Sequence, residues 1–521
     1  MGTVALAWPS LAEGSGLDVP QVGTTWSSPT TRDAAAMYWN PGMLGFCEQG
    51  SVLLGVGLVG GNIGYQRDRL GTYQYEDSLD FAEPIDPALI DASKTGAYPR
   101  VSSPIISPNA GGFVSAPVIK DRLSIGFGVY VPYAAPLKFD PQGAQKFQLQ
   151  QAFIAVSHIS AGLAVKVHRR VSLGATVSYV LGMAQLARIQ DFGAVDLFGD
   201  ALERPPINQP NDFGSDAPSS VRELDVLARP FALLNSVSHG VAFNVGLAAN
   251  PIDKLWLGLT YDHGSRANFR GKFQLDMNDE FFTQDLAAKG LAFPSLVEGQ
   301  AKLSFRLPKR LMLGIAYDIN ENLRVDGNFA WAFWSDVESF DLTLDSGDLE
   351  QPELGIPRVS TVALARNWKG TIHAEASVRA RVGAKRRVRV SGTLGYHSSA
   401  SPDSTIDVAS PDGNRLIGAV GVGYQVRERI ALLVDAEVQG ILPRTVTDSD
   451  FDLGNGRYDL VLASLGLWLE VKFGKGGKVV GKANSAPAAA PAPAQPIEAA
   501  PESESEPESP LVPEGPQPTQ S

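Results

Sequence analysis

Side chains that usually carry chemistry are few and scattered in this chain. Cys47 is the only cysteine, which excludes an internal disulfide and a thiolate metal cluster. Its context, Leu44-Gly45-Phe46-Cys47, lacks the small preceding residue of a lipid-anchor site, so a packed structural thiol is the simpler reading. The six histidines, His158, His168, His239, His263, His373 and His397, include no pair at the close spacing of a metal-binding helix. There is no Gly-x-Ser-x-Gly elbow and no Ser/His arrangement that defends a triad. No catalytic residue, metal or cofactor is therefore expected. What remains is arginine, whose planar fork suits a carboxylate: Arg306, Arg324, Arg379 and Arg389 lie in strongly patterned segments.

The 521 residues contain 44 Lys and Arg against 56 Asp and Glu, a net charge of −12. A basic nucleic-acid surface is excluded. Hydrophobic residues make up 44% and the mean hydropathy is −0.04. With no uninterrupted apolar run of about 18 residues, this excludes a helical membrane protein. It leaves a soluble β protein and a membrane barrel open, because a transmembrane strand shows only one face to lipid.

The pattern that must position the arginines has period two. From Leu323 to Phe333 the odd positions are apolar or Gly and the even ones charged, polar or small. Ile372, Ala374, Ala376, Val378, Ala380 and Val382 alternate in the same way with His373, Glu375, Ser377, Arg379 and Arg381. The segments from Val388 and from Ile430 repeat it. In a barrel this alternation puts the four arginines on the lumen side, where they are candidates for a ligand carboxylate or for pairing with lumenal acids.

Connection length separates a sandwich from a barrel. Tight turns fall near Lys120-Asp121-Arg122, His168-Arg169-Arg170, Pro251-Ile252-Asp253, Asn320-Glu321-Asn322, Ala384-Lys385-Arg386 and Arg427-Glu428. They alternate with long polar stretches near 66–103, 135–148, 191–235, 277–299, 341–369, 398–413 and 442–456. A membrane barrel sorts its loops this way and a sandwich has no reason to. About fourteen antiparallel strands are expected. Leu307-Pro308-Lys309-Arg310 could be a further turn, but Leu303, Phe305, Leu307, Leu311, Leu313, Ile315 and Tyr317 all keep odd parity, which predicts one strand with Pro308 on the lumen side at a break in the ladder.

The ends read differently. Residues 1–12 finish in Ser-Leu-Ala, a small-x-small pattern that predicts the remnant of an export signal, with a soluble arm as the alternative. Residues 474–521 run from Gly and Lys through Ala-Pro repeats to Glu502-Ser503-Glu504-Ser505-Glu506-Pro507-Glu508, a composition too polar to fold. They are expected to form a disordered periplasmic tail that could bind a partner.

Thr31-Arg32-Asp33-Ala34-Ala35-Ala36-Met37-Tyr38-Trp39-Asn40-Pro41-Gly42-Met43-Leu44 resembles the plug signature of the FadL/TodX outer-membrane transporters of long-chain fatty acids and aromatic hydrocarbons. Supporting it are Leu307-Pro308 running into Gly314 and Tyr317, Trp334-Ser335, Tyr396 with Ser399 and Ser401-Pro402, Pro411-Asp412-Gly413-Asn414-Arg415, and Gly454-Asn455-Gly456-Arg457-Tyr458. The similarity covers roughly residues 21 to 473. It implies a plug at 13–50, with Asp33 capping a short helix that Asn40-Pro41 stops, inside a barrel at 51–473. Gly42 replaces the usual alanine and adds backbone freedom there. The resemblance also implies an inward kink in the third strand, matched by Leu123 to Tyr133, with Gly126, Gly128 and Pro132 as the bending residues.

The function it implies is passive passage of hydrophobic small molecules through a plugged, monomeric barrel in the outer membrane of a Gram-negative bacterium, with sideways release into lipid. An outer-membrane barrel enzyme such as a lipase, and a structural or adhesive barrel, are the alternatives from other classes.

Overall fold

In the computed structural model, residues 24–69, 96–191, 228–288, 293–350, 352, 357–449 and 454–474 are described. The expected signal remnant and tail lie outside them. No helix among the described residues is long and apolar enough to cross a membrane. The chain crosses with strands.

Fourteen spans close into one antiparallel ring. They are β1 Gly50–Arg69, β2 Val101–Ile119, β3 Leu123–Lys138, β4 Gln151–His168, β5 Val171–Asp191 and β6 Ala228–Ile252. Four interrupted spans follow: β7 Leu255–Asp262 with Ser265–Asp276, β8 Leu296–Leu307 with Arg310–Asn320, β9 Leu323–Ala332 with Ser339–Asp345, and β10 Val359–Ala365 with Thr371–Val382. The ring ends with β11 Val388–His397, β12 Arg415–Arg427, β13 Ile430–Ile441 and β14 Gly456–Phe473. Closure is β14 on β1, from Gly50 opposite Phe473 to Arg67 opposite Gly456, which pairs the first strand of the sheet with the last.

The alternation read from sequence holds over the lower part of the wall, nearest the tight turns. Leu54, Val56, Leu58, Leu311, Leu313, Ile315, Phe329, Leu432 and Val434 form part of an exposed apolar belt, while Ser51, Asp326, His373, Asp435 and Glu437 are buried inside. That is the arrangement a lipid-bathed barrel requires.

β8 is one span, as its parity predicts. Leu307 pairs with Ser265 and Arg310 with Asp262, so the register runs unbroken past Pro308. The facing does not. Below Pro308 the odd residues Leu311, Leu313 and Ile315 are exposed, whereas above it Phe305 and Leu307 are buried and the even-numbered Arg306 is exposed. β7 inverts at the same level: Trp256 and Thr260 are buried below, Ala267, Phe269 and Phe273 above. Gly264, at φ +65, stands at this step, where a side chain would also meet the Pro308 carbonyl. Beyond the inversion the inner face is predominantly apolar, with paired charges such as Arg366–Asp407 and Arg415–Asp412 among the aromatics, and the outer face is polar.

Candidate functional site

The plug fills the lower lumen. Ala34, Ala35, Ala36, Met37, Tyr38, Trp39, Met43 and Leu44 are all buried, packed with inward residues of the wall that include Phe113, Tyr130, Ala164, Ala248, Trp256, Met312, Leu433 and Trp468. The cap of the short helix Ala36–Trp39 is Ala35, with no side-chain bond, and not Asp33 as the sequence suggests; Asp33 Oδ1 instead accepts the Ala35 N–H at 2.8 Å in the turn that leads into the helix. Burial, with the charge of Glu470 adding to it, raises the Asp33 carboxyl above its ordinary range. Asn40 ends the helix in extended conformation. Its Oδ1 accepts from Gly42 N at 3.0 Å, while Nδ2 donates to the carbonyls of Pro29 and of Leu247 on β6, both at 3.1 Å. One amide thereby ties helix end, following turn, preceding loop and wall together.

Gly42 is a close-approach residue and not a source of looseness. A Cβ there would lie 2.8 Å from the Gly246 carbonyl and 3.0 Å from Ala248 N. The wall answers with glycines: Gly174, Gly246, Gly258 and Gly314 lie against Pro29, Asn40, Pro41 and Gly42, and a side chain at any of the four would strike the plug. They occupy neighbouring or diagonal positions from β5 to β8, with Gly174 opposite Gly246 and Gly258 opposite Gly314. Of the four, only Gly314 lies in one of the motifs legible in the sequence. Arg310 secures the plug further, donating to Tyr38 Oη at 3.2 Å and pairing with Asp262 at 3.2 Å.

The ladder between β2 and β3 is incomplete. It runs from Ile119 opposite Leu123 to Gly112 opposite Val129 and stops. Above Val129, β3 pairs only with β4 and β2 only with β1 among the described residues. The two strands touch again where Lys138 N donates to Ser103 Oγ at 2.9 Å. On the β4 side, Tyr130 faces His158 and Tyr133 faces Val156, so Val131 and Pro132 form a bulge at the lower edge of this gap.

Of the three residues expected to bend the strand, only Pro132 is at the irregularity. Gly126 and Gly128 are paired on both sides, with Ser115 and Gly162 and with Phe113 and Ser160. They serve packing: a side chain at Gly126 would collide with Met37 of the plug, and one at Gly128 would lie 2.6 Å from the Phe113 ring.

Above the plug the lumen is lined by Tyr133, Leu137, Phe269, Phe305, Leu307, Trp334, Trp368 and Ile406. Trp334 meets Trp368 edge-on at 5.1 Å between centroids, and Phe340 lies 4.5 Å from Phe305. The loop motifs form the rim. Asp412 Oδ2 accepts from Ser399 Oγ at 2.9 Å and Ser401 N at 3.0 Å, and its Oδ1 holds Arg415 at 2.8 Å.

The arginines do not converge on a ligand. Arg306 is on the outer face, a correction that follows from the inversion at Pro308. Arg324 pairs with Asp326 at 3.1 Å and donates to Thr30 Oγ1 at 2.8 Å. Arg379 donates to the Thr25 carbonyl at 3.1 Å and lies 3.9 Å from Asp326. Arg389 is bound to Glu470 at 2.7 Å and to Gln425 at 2.6 Å. These three surround a polar cavity of about 720 Å³ below the plug, lined also by Arg32, Asp33, Cys47 and Asp318. Desolvation pushes the Cys47 thiol up to about 12.

Together these features define a plugged transmembrane barrel with an aromatic-rich upper interior and an interruption in its wall. The chain belongs to the outer membrane protein transport protein family, OMPP1/FadL/TodX, whose profile matches residues 21–459. Members of that family are outer-membrane transport channels for hydrophobic substrates in Gram-negative bacteria, not enzymes. No curated protein matches the sequence. Among solved structures, a Pseudomonas aeruginosa FadL homologue superimposes with a TM-score of 0.67 at 19% identity, covering 90% of this chain and 100% of its own. The Ralstonia pickettii toluene transporter TbuX gives 0.57 at 14% identity, covering 86% and 98%. The P. putida toluene transporter TodX gives 0.57 at 16%, covering 86% and 96%.

Proposed function

We propose that the chain carries uncharged hydrophobic molecules passively from the cell exterior through the upper lumen and out sideways between β2 and β3. The long-loop end then faces outward, and the tight turns, the lower cavity and the 474–521 tail face the periplasm. The plug blocks straight passage, and the polar cavity beneath it gives an apolar solute no favourable path. The gap above Val129 is the alternative exit, because there the ladder that would tie β2 to β3 is missing.

The observation that carries the choice of ligand is the commitment of the arginines. Arg324, Arg379 and Arg389 are engaged below the plug and Arg306 is outside, while in the upper interior Arg366 is paired with Asp407 at 2.9 Å and Arg415 with Asp412 at 2.8 Å, so each of these charges is already committed or lies outside the lumen. The aromatic lining around Trp334 and Trp368 suits an aromatic hydrocarbon ahead of a fatty acid. TbuX and TodX are described as toluene transporters, which agrees with this reading. Titration calorimetry of the purified protein in detergent with toluene and with oleate tests it. Toluene is expected to bind independently of pH, and tight oleate binding with no toluene heat would reverse the assignment.

A further inference from the structure

Where β7 and β8 pass through the inversion at Gly264 and Pro308, their outward faces change from apolar to basic. Below it stand Leu259, Leu311, Leu313 and Ile315. At its level lies an aromatic band: His263 stacks on Phe243 at 4.5 Å beside Tyr261, and Trp331 lies 6.2 Å from Phe333. Such a band marks the boundary between hydrocarbon and water. Just above it, Arg266, Arg270 and Lys272 of β7 stand beside Lys302 and Arg306 of β8.

The register sets Arg266 directly opposite Arg306 and Arg270 directly opposite Lys302. Like charges in directly opposed positions destabilise a sheet. The chain has an excess of acid, at a net charge of −12. Yet none of these five cations has an ion-pair partner among the described residues, whereas neighbouring Lys309 pairs with Asp336 at 2.6 Å and Arg310 with Asp262 at 3.2 Å. Arg266, Lys302, Arg306 and Lys309 line an outward-opening groove of about 580 Å³ whose other lining includes Asn268, Ser304, Glu338 and Asp341.

We propose that this groove binds the phosphate groups of the acylated glycolipid that forms the outer leaflet. The proposal rests on the orientation given above, with the long-loop end outward, and not on what the barrel carries. A phosphate between Arg266 and Arg306 accepts paired N–H bonds and relieves their repulsion. The height fits, since acyl chains attached to that headgroup would run down the apolar strip from Leu259 to Ile315. The carboxylates of Glu338 and Asp341 suit sugar hydroxyls, which a simple phospholipid lacks.

The test is native mass spectrometry of the full chain in detergent with diphosphorylated lipid A, with its dephosphorylated form, and with inorganic phosphate as competitor. Diphosphorylated lipid A is expected to bind. Removing its phosphates, or making Arg266→Gln/Arg306→Gln, should weaken binding about tenfold or more, and Arg427→Gln at the other end of the barrel should not. Equal binding of the two lipid forms would overturn the proposal, as would full retention by the double variant. Displacement by millimolar inorganic phosphate would also overturn it, leaving a site for free phosphate. The ligand arm needs no folded variant, and heat-modifiable gel mobility confirms assembly of the double variant. Orientation is read separately from Ser295→Cys, exposed at the long-loop end and outside the groove, labelled on intact cells by a membrane-impermeant maleimide. Labelling only after lysis would remove the outward orientation and the proposal with it, whereas labelling from outside together with loss of phosphate discrimination would overturn the groove alone.

Discussion

Asn40 Nδ2 reaches out of the plug to the Leu247 carbonyl on β6 at 3.1 Å, at a point where Gly246 leaves no side chain between them. Wall and plug are thus fitted to each other at backbone distance. An Asn40→Ala change removes donors to Pro29 and Leu247 and the acceptor for Gly42 N. Each buried group left unpaired costs about 1–3 kcal/mol. The barrel should still show heat-modifiable mobility, while proteoliposomes should leak small polar solutes. Gly246→Ala should give the same leak by collision instead of by lost bonds. A variant that stays sealed in both cases would remove this contact as the plug's anchor.

Gly126 gives a second test of fit. Its missing side chain makes room for Met37, so Gly126→Val should displace the plug and lower the thermal midpoint of the purified protein. Met37→Ala frees that space, and Met37→Ala/Gly126→Val should be more stable than Gly126→Val alone. Failure of the second change to restore any stability would mean that valine acts through the ladder and not through the plug.

Much of this architecture is legible in sequence because lipid enforces strict alternation. From Ile430 to Val438 every residue faces as its parity predicts. Loop sorting and the Asn40-Pro41 stop are equally local signals. Leu307 and Arg310 show where such reading ends. They sit at opposite parity on one span, yet both point inward, Leu307 into the upper core and Arg310 to Tyr38. Parity found the single strand, but it could not reveal that lipid and lumen exchange sides at Pro308, because leucines on odd positions look the same in either place. Gly126 and Gly128 were misleading for a related reason. A glycine that bends a strand and a glycine that clears space for a plug are identical in sequence, and only the partner distinguishes them.

The two faces of β9 should respond differently to substitution. Phe329 is 41% exposed on the apolar belt, and Val325→Arg or Phe329→Arg should impair assembly, at a cost of about 2–4 kcal/mol near the midplane. Arg324→Ala is not silent. It leaves the buried Asp326 carboxylate with Arg379 at 3.9 Å and breaks the bond to Thr30, so the barrel should assemble while protease cleaves the plug segment more readily. Heat-modifiable mobility and limited proteolysis read the two outcomes.

Removal of the tail should leave the barrel intact. β14 completes its ladder at Phe473 opposite Gly50, and a chain stopped there keeps every strand of the ring. Such a protein should insert and resist proteolysis as the full chain does. Loss of assembly would assign the tail a part in insertion.

The exit route makes the sharpest demand. Val131 and Pro132 together oppose the single residue Ser157, between the pairs Tyr130 with His158 and Tyr133 with Val156. Deleting Pro132 restores one-to-one pairing with β4 and removes the residue that cannot donate to a ladder. A straightened β3 should then extend its pairing with β2 above Val129 and narrow the gap. Tyr133, which follows the deletion and lies 6.4 Å from Trp334, keeps its place opposite Val156 in the one-to-one ladder, so equilibrium binding of toluene should be nearly unchanged. Uptake by cells at matched surface expression should fall steeply, because a bound molecule has lost its way into lipid. Pro132→Ala keeps the extra residue and therefore the bulge, and it should retain most transport. Uptake of radiolabelled toluene by the two variants decides the point: full transport by the deletion would exclude an exit between β2 and β3.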